Sequence, residues 1–232
     1  MNNLQYDLLP VNNRVDYVLN KDENRIVKKG AVVSIKHKSV FEPVLSVIQK
    51  VEKNIIYTRF PDLFLKSNVL KGDCVSCNIM QDDFEYVLYG TIIDIDIKYP
   101  WLVGITIDDI KKFKNKRKSK RYMVNFQAQV FVGDTDESIY GIIKNLSMTG
   151  ANIVFKEKIE IDSFINLLVR SSIKNDLYLE FKGKVVRLID KSEYTEHGLE
   201  ISNIDHYNKE NLTEIIQQLE KNEKSFIANC LK

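Results

Sequence analysis

A chain of 232 residues, 44% hydrophobic and 28% charged, carries apolar material for more than one core and excludes an intrinsically disordered polymer. No apolar run approaches the roughly 18 residues of a membrane-spanning helix, and three cysteines, Cys74, Cys77 and Cys230, make no disulfide framework. The net charge of +2 is unevenly spread: residues 1–110 hold 13 bases and 15 acids, residues 111–121 eight bases and no acid, and residues 122–232 13 bases and 17 acids.

Two mildly acidic bodies, 1–110 and 122–232, thus flank one basic connector, 111–121. Such a pattern attracts a small anion locally and repels an extended polyanion, so a nucleic acid polymer is not the expected partner. The N-terminal 24 residues have neither a basic lead nor a continuous apolar core, which points to a cytoplasmic address.

In the first body, "RIVKKGAVVSIK", "VLSVIQKVEKNIIYTRF", "DCVSCNIM", "FEYVLYGTIIDIDIK" and "WLVGITI" read as successive strands, rich in Val, Ile, Tyr and Phe. Breaks are expected at Gly30, Pro61, Gly72, Gly90 and Pro100, and no amphipathic helix intervenes. Short strands without helical crossovers predict a closed or nearly closed antiparallel barrel.

The second body begins with "VNFQAQVFV", where Val124, Phe126, Ala128, Val130 and Val132 share one face and Asn125, Gln127 and Gln129 the other, the period of a half-buried strand. "YGIIKN", "GANIVF", "FINLLVR", "LYLEFKGKVVRLID" and "HGLEIS" continue it into a second barrel. Only the C-terminus has a helical period: Leu212, Ile215, Ile216, Leu219 and Phe226 form one stripe, with Asp205 or Asn208 as N-cap. The expected fold class is mainly β, two antiparallel barrels closed off by a C-terminal helix.

Enzyme signatures are absent: there is no nucleophile elbow, Walker loop or H-E-x-x-H. The C-x-x-C of Cys74 and Cys77 sits in a strand-like run without a second pair, so it predicts buried or half-buried small residues rather than zinc or redox chemistry. His37, His197 and His206 show no ligand spacing and read as surface or turn residues, leaving no metal site expected.

Within the connector, Arg117 and Arg121 are the only arginines, four apart in "RKSKR". A guanidinium offers a planar fork for phosphate or for the O6/N7 edge of guanine, where lysine supplies a point charge. Downstream, "KNLSMTGA" sets Asn145, Ser147 and Gly150 as N-x-S-x-x-G between two strands, an amide and a hydroxyl beside a turn a side chain would block. Alone, the first is what a solvated linker looks like and the second what any turn uses.

Together, R-x-x-x-R and N-x-S-x-x-G, with 23 residues between Arg121 and Asn145, resemble the PilZ domain, the receptor module for the bacterial second messenger cyclic di-GMP. The resemblance covers roughly residues 115 to 228. The first body is similar to the split-barrel-like domain that precedes PilZ in proteins of the flagellar-brake type, on strand pattern alone.

The resemblance implies that Arg117 and Arg121 grip phosphates and guanine edges, that Asn145 and Ser147 complete the pocket and that Gly150 keeps the turn open. It implies a conformational output through the connector, a downstream protein partner such as a flagellar motor component, a role in motility or surface behaviour, and no cofactor beyond the ligand. Lys116 takes the position that in the family bears on whether one ligand or a stacked pair binds. Two rival readings are a single-stranded nucleic-acid binder, using aromatic stacking and basic arms, and a degenerate relative that only docks to proteins.

Overall fold

The structure, a computed structural model, describes residues 19–40, 43–81, 83–115, 117, 119–133, 137–173 and 177–230, without the Leu65 side chain. Most of the N-terminal stretch and Lys116 lie outside the described residues. The chain divides into two units, Met1–Lys116 with Ser225–Lys232, and Arg117–Lys224.

Among the described residues, the earliest element of the first unit is a helix that strand-like patterning does not predict, α1 (Lys21–Ile26). Its signal is a capping box rather than a hydrophobic period: Asn20 Oδ1 accepts from the backbone N–H groups of Asp22 and Glu23, at 3.0 and 2.9 Å, while Glu23 Oε2 accepts from Asn20 N at 2.8 Å. The expected first strand therefore begins later, as β1 (Val32–His37). "VLSVIQKVEKNIIYTRF" folds back on itself as β2 (Val44–Glu52) and β3 (Ile55–Arg59), with Lys53 in the turn at φ 54°. A single helical turn, α2 (Asp62–Leu65), follows Pro61.

Strands β4 (Cys74–Gln81), β5 (Phe84–Asp96) and β6 (Leu102–Lys114) complete a closed antiparallel barrel in the order β1-β2-β3-β6-β5-β4. Gly90, an expected break, instead lies inside β5 at a register shift. A Cβ there would sit 1.8 Å from the Thr106 carbonyl oxygen, so the glycine serves close strand approach and not a turn. Strand β6 runs on to Lys114, paired with Phe84, so Lys111, Lys112 and Lys114 are ladder residues. Val33, Ile35, Ile48, Ile56, Val103 and Ile105 fill the barrel, each contributing about 1.5–3 kcal/mol by leaving water. Cys77 lies in this core, where burial pushes its thiol up to about 12, and Cys74 is half-buried.

His37, expected at the surface or in a turn, lies at the end of β1 where a turn begins and is 2% exposed. Its Nδ1 accepts from Ser39 N at 3.0 Å and its Nε2 lies 3.1 Å from Asp73 Oδ2. Lys38 Nζ at 2.9 Å, then the Leu70 N–H, hold the Asp73 carboxyl down at about 2. A polar partner on each side of the ring makes burial tolerable.

The second unit is a second closed antiparallel barrel. Its strands are β7 (Tyr122–Val132), β8 (Ser138–Ser147), β9 (Gly150–Phe155), β10 (Phe164–Arg170), β11 (Tyr178–Asp190) and β12 (Thr195–Asn203), in the order β10-β11-β12-β9-β8-β7. The predicted alternation holds on β7: Phe126, Ala128 and Val130 are buried, and Asn125, Gln127 and Gln129 exposed. Helix α3 (His206–Cys230) is capped by Asp205, whose Oδ1 accepts from Asn208 N at 2.7 Å. Leu212 and Ile215 join this barrel's core, but Phe226 at the far end of the stripe is 41% exposed.

His197, also expected at the surface or in a turn, is fully buried on β12, stacked on Phe155 at 4.1 Å and 4°. Its Nε2 accepts from Ile159 N at 3.2 Å, which requires the neutral ring. Burial lowers its pKa from the ordinary 6.5. The unfolded chain therefore takes up this proton before the folded one does. The stability His197 contributes is complete above pH 6.5 and drains away as the pH falls from there to the lowered value. Thermal unfolding followed across pH 5 to 8, an interval set by the usual histidine range of about 6.5, is expected to show this fall, and His197→Gln to remove that segment of the curve.

Candidate functional site

The N-x-S-x-x-G segment spans the end of β8 and the start of β9. Ser147, 1% exposed, donates its hydroxyl to the Gly150 carbonyl at 3.0 Å, and its Oγ also receives the Thr149 N–H at 3.4 Å, which staples the tight turn. Thr149 O accepts from Ile201 N at 3.0 Å, tying the turn to β12. Gly150 has a packing reason of its own: a Cβ would meet the Leu199 carbonyl oxygen at 2.3 Å. Its glycine thus lets β9 lie close to β12.

The connector is held over this turn. Ser119, midway between Arg117 and Arg121, shares a 2.8 Å hydrogen bond with Thr149, which lies between Ser147 and Gly150. Lys120 turns the other way, 2.7 Å from Glu223 on α3 and 5.0 Å from the centre of the Tyr122 ring. Two motifs separated by 23 residues are brought together at one end of the barrel. Arg117 and Arg121 are both exposed there.

A third guanidinium, one that the two motifs do not include, belongs to the same neighbourhood. Partial burial, then the charges of Arg117 and Arg187, push the Arg121 pKa below its ordinary value. Arg187 stands on β11 inside "GKVVRLID", where strict alternation from the buried Val185 would turn it inward. A register shift between Val185 and Arg187 instead pairs it with Gly198 on the exposed face.

The same device presents Asn145. A shift between Ile143 and Asn145 lets both Ile143 and Leu146 point into the core while Asn145, half-buried, pairs with Asn152 on β9. Asn152 in turn pairs with Gly198, and Gly198 with Arg187. Asn145, Asn152, Gly198 and Arg187 therefore form one row across four strands, next to the turn that Ser147 closes.

Residues 115–218 match the family model described as the PilZ domain. No curated protein sequence matches the chain. Among solved structures the chain is similar to the Bacillus subtilis inhibitor of motility MotI/DgrA, at 18% identity and a TM-score of 0.41 over 84% of this chain and 99% of that one. It is also similar to the K. pneumonia MrkH–c-di-GMP complex, at 11% identity and TM-score 0.48 over 84% and 89%. A third is YcgR in complex with c-di-GMP from Escherichia coli, at 10% identity and TM-score 0.44 over 84% and 86%.

Proposed function

Because residues 115–218 are a PilZ domain, we propose that this chain is a receptor for cyclic di-GMP, with Arg117, Arg121, Asn145, Ser147 and Gly150 as its recognition elements. The observation that supports the reading is the Ser119–Thr149 hydrogen bond, which ties the connector residue midway between the two arginines to the N-x-S-x-x-G turn. Partial burial of Arg121, followed by the charges of Arg117 and Arg187 that reach it, favours a ligand with more than one negative charge. A cyclic dinucleotide supplies two phosphates and two guanines at once.

In this reading Arg117 and Arg121 donate paired hydrogen bonds to phosphate oxygens and to guanine O6/N7. The Asn145 amide offers both donor and acceptor to a base edge. Ser147 and Gly150 act one step removed, holding the turn in shape. Ligand taken up by the connector favours one arrangement of the two units and so signals to a downstream protein, such as a flagellar motor component, in motility or surface behaviour. That output requires unequal affinity for the two arrangements.

The nucleic-acid alternative is the weaker one. Both bodies are net acidic and repel a long polyanion, and beside the basic end of β6 the rings of Phe84, Tyr86 and Tyr89 already carry lysines, Lys112 Nζ lying 3.8 Å and 5.6 Å from the first two centres and Lys111 Nζ 5.2 Å from the third. Titration calorimetry with cyclic di-GMP, cyclic di-AMP and linear pGpG is the test. Saturable binding of cyclic di-GMP at micromolar concentration, with a small-angle scattering profile that changes on saturation, is the expected result. No uptake would sink the receptor reading, and an unchanged profile would sink its conformational output.

A further inference from the structure

The turn between β5 and β6 of the first barrel presents apolar side chains to water instead of to a core. Asp96 pairs with Leu102 across it, and in the segment between them Ile97 is 76% and Tyr99 84% exposed, with Trp101, the one tryptophan of the chain, exposed beside them. The turn is held in shape: Asp96 Oδ1 accepts from Lys98 N at 2.9 Å, and Trp101 O accepts from Phe60 N at 2.8 Å. Phe60 is itself anchored in the core, edge-on to Phe64 at 5.7 Å and 83°. Exposed Leu63 follows Phe60 on α2, and exposed Leu70 belongs to the same barrel end, since its neighbour Lys71 reaches Asp94 at 2.7 Å. Large apolar groups gathered at one end of a barrel mark a contact surface.

Charge and shape say what the turn contacts. Tyrosine and tryptophan pair an apolar body with a polar handle and favour the boundary between hydrocarbon and water. A narrow turn is small beside the roughly 20–30 residues a side of a standard protein interface, but it can dip between lipid headgroups. Lys98 is the one charged side chain within residues 97–101, and among the described residues it has no carboxylate partner. The acids nearby are engaged: Asp94 lies 2.7 Å from Lys71, Asp73 lies 2.9 Å from Lys38, and Asp96 is turned onto the Lys98 N–H. Asp62 and Lys66, both exposed at the two ends of α2, offset each other. One lysine is thus left among exposed rings, where its stem can follow them into the headgroup layer while its ammonium stays at a phosphate.

We propose that the Ile97–Trp101 turn docks on the surface of a phospholipid bilayer, with Ile97, Tyr99 and Trp101 entering the headgroup layer and Lys98 pairing with the phosphate of an anionic lipid. The proposal is independent of the cyclic di-GMP reading, because the turn lies at the other end of β6 from Lys114, 13 residues away along the strand.

Because Trp101 is the only tryptophan, its fluorescence reports on this turn alone. The full chain is mixed with vesicles of phosphatidylcholine and phosphatidylglycerol at physiological ionic strength, where acids elsewhere on the body are screened. Its emission is expected to shift to the blue and to be quenched when the lipid chains carry bromine near the headgroup, and the chain is expected to sediment with the vesicles. Adsorption should be about fivefold tighter than to phosphatidylcholine alone, the worth of one lysine beside an anionic surface, and Lys98→Gln should remove that factor. The Ile97→Ser/Tyr99→Ser double variant keeps the reporter and should adsorb at least about tenfold more weakly. Its melting temperature should match the wild type, since both side chains are exposed.

Unshifted emission, with the chain left in the supernatant, overturns the proposal. A blue shift that bromine does not quench, growing with protein concentration alongside a doubled mass in light scattering, assigns the turn to a second copy of the chain and overturns it equally. A double variant that adsorbs like the wild type overturns the role of the exposed side chains, and a Lys98→Gln variant that keeps the lipid preference overturns the role of Lys98. No cyclic dinucleotide enters these measurements, so their failure leaves the receptor reading where it stood.

Discussion

The Arg117→Ala/Arg121→Ala double variant is expected to bind cyclic di-GMP at least about a hundredfold more weakly than the wild-type chain in calorimetric titration. Each guanidinium contributes charge-assisted hydrogen bonds of about 1.5–3 kcal/mol net, and each 1.4 kcal/mol is a factor of ten. Single variants should lose roughly one to two decades each. The sum need not add, because both side chains serve one ligand. Arg-to-Lys replacements at the same positions keep the charge and should recover only part of the loss, since lysine lacks the fork.

A folding control is built into this prediction. Arg121 is exposed and feels the like charges of Arg117 and Arg187, so its removal relieves that repulsion without opening a cavity. The melting temperature of the ligand-free Arg121→Ala single variant should therefore be unchanged or slightly higher. Retained affinity in a folded double variant would refute the assignment of the connector arginines.

Gly150→Ala is expected to destabilise the second barrel by about 3 kcal/mol or more with no ligand present, read from chemical denaturation. The added methyl would lie 2.3 Å from the Leu199 carbonyl oxygen, which is backbone and cannot rotate away, so β9 and β12 must separate. That motion would disturb the ladder from Gly150–Glu200 to Thr195–Phe155. Gly183→Ala is the matched control within the same barrel. The nearest atoms to its Cβ would be Leu199 Cδ1, Leu199 Cβ and Leu167 Cδ1, at 3.3, 3.4 and 3.5 Å, side-chain contacts close to ordinary van der Waals distance that a shift of a few tenths of an ångström relieves. Equal stability of the two alanine variants would show that Gly150 matters to the ligand and not to the strands. The expected inequality makes this glycine a requirement of the barrel that the binding turn inherits.

The legible parts of the chain are those governed by local pattern. Alternation along Val124, Phe126, Ala128 and Val130 specifies β7, because a period of two places every second side chain on one face. The helical stripe through Leu212 and Ile215, with Asp205 ahead of it, specifies α3. The short helix α1 escapes a periodicity argument although its Asn20 to Glu23 box is present in the letters, since six residues are too few for a hydrophobic period. His37 and His197 are buried, where a surface or turn position was expected, because burial of an imidazole depends on partners that chain distance does not reveal. Those partners are Asp73 for the first ring, and Phe155 and Ile159 for the second.

Composition, alternation and spacing are properties of neighbouring residues, and they suffice to specify two β-rich bodies around a basic connector, with R-x-x-x-R a fixed interval ahead of N-x-S-x-x-G. Which side chains share the binding surface is a matter of long-range pairing instead. The shifts at Ile143/Asn145 and Val185/Arg187 each reverse the facing of the later strand residues by one position, and they are set by ladders between distant strands. Asn152, Gly198 and Arg187 therefore meet in one row only once the barrel has closed, a relation that chain order does not contain.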